Sequence, residues 1–147
     1  MSSTSQSTRE KIAIDIVSVL KQIDNPKPIL VTREPIKPAD VSQAQMPALL
    51  IRTLGETRSD EAMGSTLTRL ATIQYEIRGY TRVPQVDTQV NEMVEAIETK
   101  LDADRTRGGD ALNTTVDSVE ANTDVTLPYG EFVMIVNVLY KFNRGVL

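Results

Sequence analysis

The sequence predicts an α+β fold, a mostly antiparallel sheet of about five strands with two helices packed on it, in the order α-β-β-β-α-β-β. Two observations predict it. Apolar residues recur at helical spacing in two segments, and they alternate or run together in five shorter ones. The length of 147 residues suits one domain, because chains near that size bury about 68–70% of their unfolded surface. No internal repeat divides it.

The elements follow in order. Residues 1–7 are polar and serine-rich and read as a disordered tail, with residues 8–147 as the single domain. Ser7 and Glu10 have the spacing of a capping box. Ile12, Ile16, Val17, Val19, Leu20 and Ile23 then predict a helix over 8–23, stopped by Asn25-Pro26. Residues 29–32 are β-rich. Pro35, Pro38 and Pro47 make the next stretch an extended surface connection. Residues 48–54 predict a strand with apolar side chains on both faces. The polar, glycine-bracketed stretch 55–66 has no apolar period and predicts a mobile hairpin loop.

Residues 70–80 alternate most clearly: Ala71, Ile73, Tyr75 and Ile77 share one face, and Thr72, Gln74, Glu76 and Arg78 the other. Asp87 is placed to cap a second helix carrying Val90, Met93, Val94, Ile97 and Leu101. A loop over 104–110, a short strand over 112–119 and a long turn over 120–130 lead to a last strand, 131–142. That strand is apolar on both faces and predicts a central position covered on both sides.

Composition narrows the chemistry. There is no cysteine, so disulfides, thiolate catalysis and cysteine-based zinc sites are excluded. There is no histidine, which removes the commonest general base and metal ligand. The net charge of −4 argues against gripping nucleic acid through a broad basic face. No apolar run approaches the roughly 20 residues of a membrane span, and the N-terminus does not read as a signal peptide. A chain that stays in the cytosol where it is synthesised is expected.

No catalytic, cofactor-binding or metal site is expected. Gly108-Gly109 lacks the phosphate-loop pattern and follows a helix instead of opening one. Asp102, Asp104 and Asp110 do not have EF-hand spacing. Glu56, Asp60 and Glu61 supply carboxylates, but a glycine-flanked loop is a poor place to raise a pKa. The chain is therefore read as acting through surfaces. The candidates for partner contact are Arg58, Asp60, Glu61 and Met63 in the 55–66 loop, and Arg105, Arg107 and Asp110 in the 104–110 loop.

One arrangement spans residues 9–140. A short N-terminal helix is followed by Met46-Pro47-Ala48-Leu49-Leu50-Ile51-Arg52 and by the long strand 71–80. The helix beginning Val90-Asn91-Glu92-Met93 comes next. Thr123-Asp124, Pro128-Tyr129-Gly130 and a strand ending in Val138-Leu139-Tyr140 close the pattern. This arrangement resembles the tail terminator (tail completion) family of long-tailed bacteriophages. The resemblance implies a structural virion protein and no reaction. Members form a hexameric ring on the head-proximal end of the tail tube, stop polymerisation of the major tail tube protein, and present their other face to neck or head-completion proteins. In contractile tails they also meet the last ring of tail sheath. DNA passes through the lumen without specific binding, and no membrane is involved. The implied location is the virion, after assembly in the host cytoplasm. Two alternatives stay open: another head-to-tail joining protein, of neck or stopper type, and a small host binding module.

Overall fold

The computed structural model describes residues 7–37, 40–59, 68–82, 86–122 and 130–143. Two helices, α1 (Thr8–Leu20) and α2 (Val86–Ala103), pack on a sheet of β1 (Leu30–Thr32), β2 (Ala48–Arg58), β3 (Thr68–Thr81), β4 (Asn113–Asn122) and β5 (Gly130–Asn143). The spatial order is β1-β2-β3-β5-β4. Every pairing is antiparallel except β1 with β2. The fold is α+β with a mixed, mostly antiparallel sheet, as the sequence predicts.

Helix α1 begins where the capping signal stands, with the Ser7 hydroxyl accepting from the Glu10 amide at 3.1 Å. The reciprocal half of the box is missing. The Glu10 carboxylate turns outward and accepts two hydrogen bonds from the Arg33 guanidinium, at 2.7 and 3.0 Å. The helix ends at Leu20, earlier than periodicity suggests. Gln22 and Ile23 then bond three residues back, to Val19 and Leu20, so a tightened last turn still carries Ile23 into the core. Helix α2 starts at Val86, which places Asp87 inside its first turn, where a carboxylate suits the positive end of the helix dipole.

The core lies on one side of the sheet. Ile12, Ile16 and Leu20 of α1 and Val90, Met93, Ile97 and Leu101 of α2 are buried against Leu49, Ile51, Ile73, Tyr75, Ile77 and the even-numbered β5 residues 132–140. Each such large apolar side chain contributes about 1.5–3 kcal/mol on burial. On the opposite, outer face Leu50, Val133, Ile135 and Leu139 are only half-buried. The expectation that strands 48–54 and 131–142 are covered on both faces is therefore corrected. Among the described residues only one end of the outer face is covered, where the proline-containing segment after β1 passes Tyr80, and there Ala48 and Tyr80 are buried.

Three further expectations change. Residues 55–58 are not loop: they extend β2, with Glu56, Thr57 and Arg58 opposite Ile73, Thr72 and Ala71. A register shift between Thr53 and Glu56 absorbs Leu54 and Gly55, and it broke the alternation that would have revealed the strand. The remainder of the expected loop, 60–66, lies outside the described residues. Likewise β4 runs on to Asn122, so the expected turn over 120–130 begins inside a strand, and residues 123–129 lie outside the described residues.

Gly79 is fixed by packing. It faces Phe132 on β5, and a Cβ there would stand 2.0 Å from the ring atom Cε1. The ring is fully buried and lies against the bare backbone. Gly79→Ala is expected to cost at least about 1–3 kcal/mol by overpacking, measured as a lower urea midpoint at unchanged m-value. Combining it with Phe132→Leu should recover part of the loss.

Candidate functional site

Surfaces at three places carry the polar groups that sequence reasoning pointed to or passed over. The first is the end of the sheet where β2 leaves for β3. Glu56 sits on the helix side of β2, between α1 and β5. Its carboxylate accepts from the Tyr140 hydroxyl at 2.8 Å, stands 3.1 Å from Arg9 Nε, and is paired with Arg58 Nε. Arg58 in turn lies over Phe142, 4.4 Å from the ring centroid. The Tyr75 hydroxyl donates to the Arg9 carbonyl at 3.1 Å and ties the start of α1 to β3. Burial pushes Glu56 upward, but hydrogen bonds from Arg58 and Tyr140, with the charges of Arg58 and Arg9, outweigh it and hold its pKa below the ordinary value. Burial raises Tyr75 and Tyr140.

Arg58, expected in a mobile loop, lies instead at the end of β2, half-exposed but held in place. Asp60, Glu61 and Met63, named with it, lie outside the described residues. Glu56 was set aside as an unproductive carboxylate. It is the centre of the cluster, and the broken alternation at Leu54 and Gly55 hid it.

The second place is the outer face. Arg52, Glu76, Arg78 and Glu131 form a row across β2, β3 and β5: Glu76 stands 3.3 Å from Arg52 and 3.0 Å from Arg78, and Arg78 stands 3.5 Å from Glu131. Leu50, Val133, Ile135 and Leu139 surround this row, half-exposed. The polar side of β3 is thus a real face, as its alternation suggests. Its backbone is not free, because β2 and β5 pair with both edges of the strand. Beside it, Arg33 to Lys37 and Tyr80 help to wall a groove of about 540 Å³.

The third place is the loop after α2, and here the expectation fails for one residue. Arg107 is fully buried, not a surface contact. Arg107, Gly108 and Gly109 all have positive φ, at 50°, 73° and 97°, and this reversed backbone turns the arginine inward. Its guanidinium donates to the carbonyls of Leu101 and Asp104, which end α2, and stands 3.2 Å from the Asp15 carboxylate of α1. Burial raises Asp15, and Arg107 opposes that shift. The loop's outward amides are already used: Thr106 and Gly108 donate to the Asp104 carboxylate at 3.1 and 2.8 Å, leaving no cradle for a phosphate. Arg105 does stay exposed, donating to Asn113 at 2.8 Å, and Asp110 is half-buried. Two glycines after an arginine were the available signal for an inward turn.

Among the described residues no three acidic side chains converge as metal ligands would, and no helix is long and apolar enough to cross a membrane. The fold and these surfaces define an α+β protein whose sheet is dressed by helices on one face only. No family model matches the chain, and no curated protein matches it. Among solved structures, a chain in the virion of a native gene transfer agent (GTA) particle is similar, at 12% identity and a TM-score of 0.48 over 92% of each chain.

Two outcomes test the polar contacts. Arg107→Ala is expected to cost about 3 kcal/mol, because it strips the carbonyls ending α2 and leaves Asp15 without its cation; Arg107→Lys should recover little, since a single ammonium nitrogen cannot reach at once the carbonyls and the carboxylate that two separate guanidinium nitrogens reach. Thermal or urea unfolding measures both. For Glu56, a lowered folded-state pKa contributes stability above the ordinary glutamate value of 4.5, and that contribution is lost as pH falls through the lowered folded value. Glu56→Gln should thus destabilise by about 1–2 kcal/mol at neutral pH, with the gap to the parent chain closing as urea titrations move into the acid range.

Proposed function

We propose that this chain is a structural virion protein that acts as a tail terminator. Six copies form a ring on the head-proximal end of a tail tube, stop its growth, and present the opposite surface to a neck or head-completion protein. The chain performs no catalysis. The order of elements and the segments running from Arg9 to Tyr140 support this reading through their resemblance to terminator sequences.

The observation that carries it is the uncovered outer face. A row of four charged side chains among half-exposed aliphatics suits repeated contact with other subunits better than free solvent. The connection between β2 and β3, with Asp60, Glu61 and Met63, leaves from the strand end that Glu56, Arg58 and Phe142 hold still, and it is the tube-contacting segment in this proposal. An acidic chain also suits a lumen that passes DNA without retaining it.

Purified chain added to polymerising tail tube protein is expected to yield tubes capped at one end, seen by electron microscopy, and to stop their elongation. Replacing Asp60, Glu61 and Met63 together by serine should leave the circular dichroism spectrum and self-association unchanged and reduce capping at least about tenfold, the loss of roughly 1.4 kcal/mol of docking energy. Tubes that elongate past the parent chain would sink the terminator reading, and full capping by the triple variant would sink the assignment of the segment.

A further inference from the structure

The two open edges of the sheet are matched. Among the described residues, the order β1-β2-β3-β5-β4 leaves one side of β1 and one side of β4 without a neighbouring strand. Among the described residues the exposed large hydrophobic side chains are Ile14 and Ile29 at 41% and 60%, and Leu112 and Val119 at 38% and 40%. The first two flank the β1 edge and the other two the β4 edge. Scattered exposed aliphatics are ordinary; their confinement to the two edges is not.

Their direction also agrees. Val119 is opposite the core residue Met134, so it projects on the helix side of the sheet, past the cover that α2 gives. At the other edge, Ile14 and Val17 of α1 and Val31 of β1 line a mostly apolar groove of about 530 Å³, also on the helix side. A strand laid along β1 presents alternate side chains to that groove.

Charge follows the same division. Residues 110–122, through β4, carry Asp110, Asp117 and Glu120 with no lysine or arginine. Residues 21–37, around β1, carry Lys21, Lys27, Arg33 and Lys37 against Asp24 and Glu34. Asp117, Glu120, Lys21 and Lys27 are exposed.

We infer that the β4 edge of one copy of this chain docks along the β1 edge and α1 of the next, with Val119 seated against Ile14 and Val17 on the helix side and with the acidic edge that carries Asp117 and Glu120 meeting the basic edge that carries Lys21 and Lys27. The contact is head-to-tail, because the two edges differ, and repeating it closes a ring. This inference rests on the ring reading above and names the surfaces that build the ring.

Charge reversal in two chains tests it. One chain carries Asp117→Lys with Glu120→Lys, and the other carries Lys21→Glu with Lys27→Glu. All four positions are exposed, so both chains should keep the parent's unfolding midpoint to within a few degrees. Each alone should self-associate at least about a hundredfold more weakly than the parent, since like charges then face each other. Mixed in equal amounts, they present only unlike edges to one another, and assembly should return with the chains alternating. Light scattering reads all three samples, alone and on tail tubes. Parent-like assembly of either variant alone, or no recovery on mixing, overturns the edge contact and leaves the ring reading standing. A parent chain that stays monomeric both alone and on tubes overturns both.

Discussion

Two helices can shield one face of a five-stranded sheet, and the rest of this structure follows from that limit. Core volume is concentrated between α1, α2 and the inward residues of β2, β3 and β5. The outer face must then manage half-buried aliphatics with a row of paired charges instead of a second layer. Glu76 shows how. It is buried at the centre of that row and keeps arginines on both sides, so that its desolvation is offset locally. The proline-containing segment after β1 covers only the end of the face near Ala48 and Tyr80.

The helices themselves are held at three polar points. Arg107 joins the end of α2 to the middle of α1 through Asp15, from inside the protein. The Tyr75 hydroxyl catches the first turn of α1 from beneath, and Glu10 reaches out to Arg33 beyond β1. Directional contacts at the start and the middle of α1 complement non-directional packing along its buried face, and they fix how far the helix slides over the sheet.

Much of the fold was legible in the residues. Alternation marked β3, helical spacing marked both helices, and Ser7 marked where α1 starts. What was not legible has physical causes. A bulge at Leu54 and Gly55 shifted the period of β2 by one residue, so its last turn of strand looked like loop. Apolar residues on both faces of β5 were read as two-sided cover, but the same pattern serves a strand with one covered face and one half-open face. The site was less legible than the fold. Arg107 looked like a surface charge because it stands in a charged, polar loop, but its positive φ, followed by two glycines, sends it inward. Glu56 was discounted because it fell in a glycine-flanked stretch, and two of its three partners, Arg9 from α1 and Tyr140 from β5, are distant in sequence. Arg58 was read as part of a mobile loop, whereas it lies at the end of β2 and stacks on Phe142.

The register shift between Val116 and Ser118 in β4 has a wider bearing. A straight, unbroken edge strand invites any extended chain to add to it, including misfolded copies of itself. The extra residue bends β4, interrupts its regular row of amides and carbonyls, and brings Asp117 to the kink. Indiscriminate strand addition thus meets a break in the ladder and a charge, whereas a surface moulded to the bend does not. The irregularity thereby discourages indiscriminate edge-to-edge aggregation.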